Sequence, residues 1–323
     1  MNFDAVCEQL NLGKLTEQPT RLYGGLMHKM YRLTTTNGVY AVKHLNPHVM
    51  ARPTAAANFA AAEELERKLE QTDLPILPAL TIGGRKMQEV EGDFFYVFPY
   101  YDGKSLTDEN ITPGHCKIVG GLLAQLHAVE KIHASVEKEM LTFEWDGFDL
   151  SEEDRALLWE MQAAANAATL LPRLTICHND MDPKNLLWHG MECRIIDLEC
   201  LGYGSPYLEL LEIALCWAGY ESGEVDFDRF TAFVGAYAAA GGDLAADWAA
   251  VYAANAGRLA WLHYNLLRAG GSEGKEATTL GKTEVKKTLA CICGYARMKE
   301  DIVQTMEDIH KLLLEEKLAR RKP

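Results

Sequence analysis

The sequence predicts an α+β fold with two lobes, a small lobe built on an antiparallel sheet and a large, mostly helical lobe. Three observations predict it. Strand-like runs with glycine turns fill much of the chain up to about Phe98, alanine-rich segments that favour helix dominate the remainder, and a polar loop-and-hairpin segment at 177–199 interrupts them. A chain of 323 residues can bury a large core, and we expect one two-lobed unit rather than separate domains.

The first strands are separated by a glycine turn and a hairpin. The pair Gly24-Gly25 precedes a strand-like run, and Asn37-Gly38 forms a typical hairpin turn before a strand that ends at Lys43. Glycines let the backbone approach phosphate groups, so this pair is a candidate phosphate-binding turn. Taken alone, such a pair is more often a plain turn, and a strand-end lysine is more often a solvated charge. Their order ahead of residues 177–199 makes them informative.

A helix is predicted over Ala55–Glu70, which is rich in alanine and contains no internal Gly or Pro. Its four glutamates offer Lys43 a carboxylate partner. Glu63 lies behind Phe59 in the register that looks most buried, and we predict that it pairs with Lys43. Glu64 is the alternative, and the other two are expected to be surface charges.

The chain after this helix contains an aromatic strand, Phe94–Gly103, and then helical segments. The predicted helices are 115–132, 151–170, 208–217, 226–239 and 244–268, followed by one or two helices over 284–320.

The segment Cys177–Glu199 carries the chemistry. It contains His178, Asp180 and Asn185, and an apolar pair then leads to Asp197. Phosphoryl transfer from a nucleotide needs a carboxylate near the attacking hydroxyl and two oxygen ligands for magnesium, and this spacing supplies all three. Protein kinases carry the same skeleton as H-R-D-x-x-x-x-N followed by D-F-G. The alternative is an ordinary polar hairpin loop, but the apolar flanks fit the kinase pattern as well.

This pattern gives the earlier segments kinase roles. Lys43 corresponds to the lysine that holds the nucleotide phosphates. The end of the aromatic strand corresponds to the hinge between lobes, where the Pro99 carbonyl would accept from the adenine edge and the Tyr101 amide would donate to it. An aromatic core strand is the alternative interpretation. We therefore predict a nucleotide-binding lobe at 1–98, a hinge at 99–103 and a catalytic and substrate-binding lobe at 104–323.

These motifs resemble the aminoglycoside phosphotransferase and choline kinase-like superfamily, small-molecule kinases with the protein-kinase-like fold. The resemblance runs from about Tyr23 to about Trp217 and less sharply through 261–268. That family's loop commonly reads H-G-D-L-H-P-G-N and then I-D-W-E or I-D-F-E, where this chain has H-N-D-M-D-P-K-N and I-D-L-E.

The resemblance implies specific roles for the loop. Asp180 is the catalytic base, His178 organises the loop, and Asn185 and Asp197 hold Mg2+ for an ATP or GTP substrate. Glu209 stands where the family usually has an Asp that braces the catalytic loop.

Three departures from the family pattern introduce charged or titratable side chains. Asp182 replaces the usual His, Lys184 replaces the usual Gly, and His28 stands where the glycine turn often has Asn. No catalytic group is lost, but the charge near the phosphate differs. The chain also lacks an A-P-E signature and a recognisable activation segment, which argues against a protein kinase.

The acceptor is less well defined. The family places it between the catalytic loop and the C-terminal helices, and six candidate lining residues are Trp217, Tyr220, Glu221, Trp261, Tyr264 and Arg268. The aromatic rings could surround a cationic group, although helix packing in the core is the alternative for each ring. An aminoglycoside-like compound, choline, a sugar and an amino alcohol all remain open as the hydroxyl acceptor.

The composition and the sequence patterns argue against several other classes of protein. A net charge of −14 and a pI near 5.2 disfavour nucleic-acid binding, which favours a basic surface. The N-terminal residues do not resemble a signal peptide, and no apolar run approaches the ~20 residues of a membrane span. The eight cysteines show no zinc or redox spacing. We expect a cytoplasmic protein that does not bind membranes.

Two functions from different classes remain. The first is an active ATP- or GTP-dependent kinase of a small hydroxylated molecule, and the second is a catalytically silent relative that binds a nucleotide or partner. A silent relative is expected to lose one of Lys43, Asp180, Asn185 and Asp197, and all four are present. A protein kinase is a minor rival within the enzyme class.

Overall fold

The computed structural model describes residues 2–22, 28–134, 140–271 and 275–319. The strands in these ranges are β1 (Thr20–Leu22), β2 (Lys29–Thr35), β3 (Gly38–His44), β4 (Gln88–Val90), β5 (Asp93–Pro99), β6 (Lys131–Ile132), β7 (Leu174–Cys177), β8 (Leu186–His189), β9 (Glu192–Ile195) and β10 (Gly202–Gly204). The helices are α1 (Phe3–Gln9), α2 (Pro47–Met50), α3 (Ala55–Leu69), α4 (Pro113–Val129), α5 (Glu152–Ala167), α6 (Pro206–Trp217), α7 (Phe227–Ala239), α8 (Trp248–Ala254), α9 (Gly257–Ala269), α10 (Lys275–Arg297) and α11 (Lys299–Ala319).

Contacts divide the chain into two compact units. The first contains residues 1–109 together with 178–202, and the second contains 110–177 together with 203–323. The predicted boundaries at 98 and 103 differ from this division. The segment that contains Asp180 and Asp197 groups with the N-terminal sheet rather than with the helices. Every group predicted to handle phosphate and metal therefore belongs to the first unit.

The first unit is built on a five-stranded antiparallel sheet with the order β1-β2-β3-β5-β4. Successive residues of a strand face opposite sides, so β5 supplies two cores. Phe95 and Val97 pack in the cluster that includes Val6 of α1, and Tyr96 packs in the cluster that includes Phe59 of α3. Tyr96 pairs across the sheet with Lys43, which places the lysine on the α3 side.

Backbone hydrogen bonds tie the β8–β9 hairpin to the rest of the first unit. Ile195 donates to the Pro75 carbonyl at 2.8 Å and accepts from the Leu77 amide at 2.8 Å. Lys104 and Trp188 exchange two backbone bonds of 3.0 and 2.9 Å. The loops on both sides of the hairpin are therefore held at fixed positions.

The second unit is mostly helical and includes the small sheet with order β10-β7-β6. Helices α4 and α7 approach closely because Gly120 has no side chain. A Cβ atom at this position would lie 2.2 Å from the Phe233 carbonyl oxygen, so any larger residue would force the helices apart.

A buried polar chain crosses the core of the second unit. His127 of α4 contacts the Glu209 carboxylate through Nε2 at 2.7 Å and the Tyr237 hydroxyl through Nδ1 at 2.9 Å. Cys177 also hydrogen-bonds Glu209, and burial together with this carboxylate raises the pKa of the thiol. These contacts join α4, α6, α7 and the end of β7. Glu209 is thus a buried structural carboxylate next to the residue that precedes His178.

The predicted α+β class is confirmed, with an antiparallel sheet in the N-terminal region and helices in most of the remainder. The predicted helix at 244–268 is wrong in one respect, because the chain leaves helical geometry at Asn255 and forms α8 and α9 instead. Among the described residues, no helix is both long and apolar enough to cross a membrane.

Replacing Glu209 tests the buried polar chain. We expect Glu209→Ala to lower the free energy of unfolding by roughly 2–4 kcal/mol, because a cavity forms and Nε2 of the buried His127 ring loses its carboxylate partner. Glu209→Gln keeps an acceptor oxygen and should lose less. Chemical denaturation measures both, with Glu224→Ala on an exposed loop as the control. Equal unfolding midpoints for Glu209→Ala and this control would contradict the structural role.

Candidate active site

The ammonium group of Lys43 is the centre of the site. The side chain is buried, and its Nζ atom lies 2.6 Å from Asp197 Oδ1 and 2.6 Å from Glu199 Oε2. Burial disfavours the charged ammonium, but the two carboxylates outweigh this effect and raise the pKa of Lys43. Lys43 is therefore a fixed positive charge that holds two acidic residues together.

Glu199 has a second partner in the strand region that follows the glycine turn. Its Oε1 lies 3.1 Å from Nε2 of His28, and Nδ1 of the same ring accepts the Asn46 amide at 2.9 Å. Because Nδ1 is an acceptor here, the proton of the ring is on Nε2 and points to the carboxylate. Although burial opposes ionisation, the His28 and Lys43 bonds lower the pKa of Glu199 to about 2.

The backbone at Asp197 adopts the left-handed conformation, with φ of 63°. This region is unfavourable for most residues, although Asn and Asp tolerate it. Asn179 has the same φ, and its side-chain amide donates to the Cys200 carbonyl at 2.8 Å. The bond ties the loop before Asp180 to the turn after Asp197. Two strained residues thus set the direction of the two chain segments that carry the carboxylates.

Asp180 and Asn185 are joined directly. The Asn185 side-chain amide donates to Asp180 Oδ2 at 2.8 Å and to the Asp180 carbonyl at 2.7 Å. Both amide protons are used in this way, so the oxygen of Asn185 is left for another ligand. Amide and carboxylate oxygens are the ligand types that a hard cation prefers, so the assignment of Asn185 as a metal ligand stays a prediction.

His178 is buried and hydrogen-bonds within the loop, while the organising role that the resemblance implies for it stays a prediction. Its Nε2 lies 3.0 Å from the Ile196 carbonyl, and its Nδ1 accepts the Asp180 amide at 3.3 Å. The Ile196 amide in turn donates to the Asn185 carbonyl at 3.0 Å. The imidazole therefore links the turn with Asp180 to the residue just before Asp197.

The two residues predicted to bind adenine, Pro99 and Tyr101, lie at the end of β5 and just after it. Pro99 is the last residue of this strand, and the backbone amide of Tyr101 has no hydrogen-bond partner within the described ranges. The Tyr101 ring covers Gly103, where a Cβ atom would approach the ring to 2.5 Å. A free amide beside a close-packed glycine fits the predicted donor role, which stays a prediction. Gly24 and Gly25 lie outside the described residues.

The predicted pairing of Glu63 with Lys43 is not present in the structure. Glu63 instead accepts from the Tyr96 hydroxyl at 2.9 Å and the Met87 amide at 3.1 Å, and it also pairs with Arg67. These donors come from β5, from the residue before β4 and from α3 itself, and they engage both carboxylate oxygens. Lys43 reaches Asp197 and Glu199 instead.

Glu66 is a second difference, because it was expected to be a surface charge but is buried. Its Oε1 lies 3.0 Å from Nζ of Lys86 and accepts the Ala79 amide at 2.7 Å, and Lys86 also binds Glu70. Burial raises the pKa of Glu66, although Lys86 opposes this effect. Lys86 is fully buried, and it takes the place of Lys43 as the cation that pairs with α3.

The six predicted acceptor-binding residues all belong to the second unit. They comprise two buried rings, one exposed carboxylate and three residues of α9. The Trp217 ring is fully buried, so it corresponds to the core alternative and offers no surface to an acceptor. Tyr220 is also buried, and its ring is covered by the guanidinium of Arg258, whose central carbon lies 4.3 Å from the ring centre. Glu221 is exposed and pairs with Lys287 at 3.1 Å.

The remaining three residues lie together on α9. The Trp261 and Tyr264 rings are 5.7 Å apart between centroids, and the Arg268 guanidinium lies 5.2 Å from the centre of the Tyr264 ring. Two of the predicted rings, Tyr220 and Tyr264, therefore already have a cation against one face. This weakens the expectation of an aromatic box for a cationic acceptor built from these residues.

Three residues of the site were missed from the sequence. Glu199 lies two residues after Asp197 and was noted only as part of the I-D-L-E motif, although a second carboxylate on that turn was a usable signal. His28 was noted only as a departure from the family. Lys86 carried no sequence signal, because its role depends on the fold placing a loop against α3.

The buried pair of Lys86 and Glu66 can be tested by a double-mutant cycle. We expect Lys86→Met to lower the free energy of unfolding by about 3–5 kcal/mol, because it leaves a buried carboxylate without its cation. The double variant with Glu66→Gln should recover part of this loss, since the amide still accepts from Ala79. Thermal and urea denaturation give the coupling energy, with the exposed neighbour Arg85→Met as the control. Additive effects of the two substitutions would contradict the pairing.

Comparisons with known proteins identify the family of the chain. The chain matches the phosphotransferase enzyme family over residues 20–254. A search of curated proteins found no match.

Solved structures with a similar fold include several kinases. An amicoumacin kinase in complex with AMP-PNP, Ca2+ and Ami shares 12% identity over 88% of this chain and 92% of that chain, with a TM-score of 0.59. A choline/ethanolamine kinase family protein from Mesorhizobium loti shares 19% over 95% and 99%, with a TM-score of 0.61. A spectinomycin phosphotransferase in complex with ADP and spectinomycin shares 13% over 94% and 97%, with a TM-score of 0.60.

At these identities the structural likenesses show the fold, which is kinase-like as the sequence predicted. The family match supports small-molecule phosphotransferase activity. Because it extends over most of the chain, from the first strand of the sheet to the end of α8, this protein belongs to the phosphotransferase enzyme family.

Proposed function

We propose that this protein transfers the γ-phosphate of ATP or GTP to a hydroxyl group of a small molecule. The observation that carries the proposal is the joining of Lys43, Asp197 and Glu199 with the Asp180–Asn185 pair in one compact unit. Phosphoryl transfer is catalysed mainly by positioning and by electrostatic stabilisation. The site offers a fixed cation for phosphate, oxygen ligands for a metal, and a carboxylate for the hydroxyl.

Lys43 binds the nucleotide phosphates in this proposal. An ammonium group has three N–H donors, and two are engaged by Asp197 and Glu199. The third is left for a phosphate oxygen. The two carboxylates thus orient Lys43 before the nucleotide binds, and His28 holds Glu199 in place.

Asn185 and Asp197 would hold Mg2+, and the donor set fits this ion, which prefers carboxylate and carbonyl oxygens. The Asn185 oxygen is available because its amide protons are engaged by Asp180. Bound magnesium supplies charge neutralisation between the phosphate groups.

Asp180 orients the acceptor hydroxyl and receives its proton. Its Oδ2 is fixed by Asn185, so the carboxylate is directed by the same residue that would hold the metal. The hydroxyl oxygen attacks the γ-phosphorus as the bond to the nucleoside diphosphate breaks, and the proton moves to Asp180.

The acceptor is proposed to be a small amino alcohol or an aminoglycoside-like compound. The spectinomycin and choline/ethanolamine kinases among the structural neighbours support this range but do not select within it. Trp261, Tyr264 and Arg268 on α9, together with Glu221, are the acceptor-binding candidates that this proposal keeps. A panel of aminoglycosides, choline, amino alcohols and sugars with an ADP-release readout identifies the substrate class. A catalytically silent nucleotide-binding protein is the second candidate, and nucleotide binding without turnover across that panel would favour it.

Asp197→Asn tests the metal assignment. The substitution removes the negative charge that would hold Mg2+, and it also removes one of the two carboxylates that pair with Lys43. We therefore expect turnover to be lost with magnesium as the only divalent ion. Steady-state rates with the acceptor from the panel give the measurement. The matched control is Asp149→Asn, an exposed residue of the second unit. Near-wild-type activity of Asp197→Asn in magnesium would show that the ion is held elsewhere.

Asp180→Asn tests the base. It keeps the shape and one acceptor oxygen but removes basicity, so nucleotide binding should survive while kcat falls by about 10²–10⁴-fold. Asp182→Asn is measured beside it, because Asp182 is the nearest competing carboxylate in the loop. The assignment of the base fails if Asp182→Asn abolishes turnover and Asp180→Asn stays active.

A further inference from the structure

The loop that carries Asp180 contains a lysine that the proposed reaction does not yet use. Lys184 Nζ lies 2.6 Å from Asp182 Oδ2 and 3.2 Å from Asp180 Oδ1. The family commonly has Gly at the position of Lys184 and His at that of Asp182, so both members of this ion pair are departures of this chain. The two substitutions add one cation and its anionic partner beside the proposed base.

Asp182 holds the lysine at a defined position. The Asp182 side chain is mostly buried. Its backbone carbonyl accepts a hydrogen bond from the backbone amide of Asn185 at 3.0 Å, and this bond closes the turn that contains Pro183. The proline restricts the backbone of this turn. Lys184 is therefore anchored on the same short turn that presents Asn185, and its ammonium group is directed back toward Asp180.

A surface ion pair is the simplest alternative, since the Lys184 side chain is about half exposed. Such pairs contribute little to stability, about 0–1 kcal/mol. The location of this pair argues for more than a surface role. A cation within hydrogen-bond distance of the base lies next to the hydroxyl that the base orients, and hence next to the phosphorus that this hydroxyl attacks.

The charge requirement of the reaction matches such a cation. In phosphoryl transfer, negative charge is spread over the three equatorial oxygens of the transferred group, and a cation that contacts them lowers the barrier. Lys184 has three N–H donors, of which two are directed at Asp180 and Asp182. One donor is left for an oxygen of the transferred group.

We propose that Lys184 is a catalytic residue that donates a hydrogen bond to the phosphoryl group during transfer, held in place by Asp182. This proposal rests on the proposed function. The bond from the γ-phosphorus to the acceptor oxygen forms and the bond to the bridging oxygen of the nucleotide breaks. The electron pair of that bond leaves with the nucleoside diphosphate, and the hydroxyl proton goes to Asp180. Lys184 keeps its own protons throughout and supplies only charge and a hydrogen bond.

The test compares Lys184→Met and Lys184→Arg with the wild-type protein and with Lys117→Met, an exposed lysine of α4. Two quantities are measured for each protein. The first is kcat with the acceptor found in the panel. The second is the affinity for ADP with magnesium, in the absence and presence of fluoroaluminate, which mimics the phosphoryl group in transfer.

We expect Lys184→Met to lower kcat by about 10²–10³-fold, the usual loss when one donor to a developing charge is removed. Its affinity for ADP alone should stay within about twofold, while the tightening by fluoroaluminate should be lost to a similar extent as kcat. Lys184→Arg keeps the charge, so it should recover part of kcat and part of the tightening by fluoroaluminate. Asp182→Asn should lower kcat and reduce this tightening.

Other results would overturn the assignment. If Lys184→Met lowers kcat but keeps the full effect of fluoroaluminate, the lysine acts only by positioning Asp180. If it keeps the full rate, the lysine belongs to a surface ion pair. A wild-type protein that binds neither ADP with magnesium nor its fluoroaluminate complex would overturn the proposed function itself, an outcome that differs from both.

Discussion

The site depends on one interaction, the buried contact of the Lys43 ammonium with the carboxylates of Asp197 and Glu199. A buried lysine without a partner would lose its charge, and two carboxylates without a cation would repel each other. Together they form a stable cluster that joins β3 to the turn after β9. Because Glu199 also binds His28, the same cluster reaches the residue that precedes β2. These three parts of the first unit are therefore already connected by charge.

The backbone supports this cluster. The β8–β9 hairpin is bonded to the loop after α3 and to Lys104, so Asp197 cannot shift without breaking main-chain hydrogen bonds. His178 then links the Asp180 turn to Ile196. The strained conformations at Asn179 and Asp197 are tolerated because these bonds determine the path of the chain on both sides. A rigid scaffold of this kind suits a reaction in which the positions of the reacting groups account for most of the rate.

The spacing of His178, Asp180, Asn185 and Asp197 was informative because loop and hairpin geometry is local, and a short run of residues determines it. The first three strands and α3 were predictable for the same reason, from turn residues and helix propensity. The partner of Lys43 was not, because the predicted helix offers four glutamates, and only the packing of Tyr96, Met87 and Lys86 assigns three of them elsewhere. The break between α8 and α9 was also missed, because the alanine-rich flanks favour helix although Asn255 and Gly257 are poor helix formers. Trp217 shows why the substrate-binding residues were hard to predict. The sequence does not distinguish a ring in the core from an exposed ring, and Trp217 is fully buried.

The pairing of Lys86 with Glu66 and Glu70 has a consequence for control of the enzyme. In a kinase whose helix carboxylate must reach the phosphate-binding lysine, rotation of the helix can switch activity on and off. Here the glutamates of α3 that face the core are held by Lys86 and Tyr96. Lys43 is oriented instead by Asp197 and Glu199, which follow the β8–β9 hairpin. A regulator that acted by rotating α3 would have to break buried ion pairs, at a cost of about 3–5 kcal/mol. Lys43 has its carboxylate partners without any such rotation, and α3 is a fixed wall beside them.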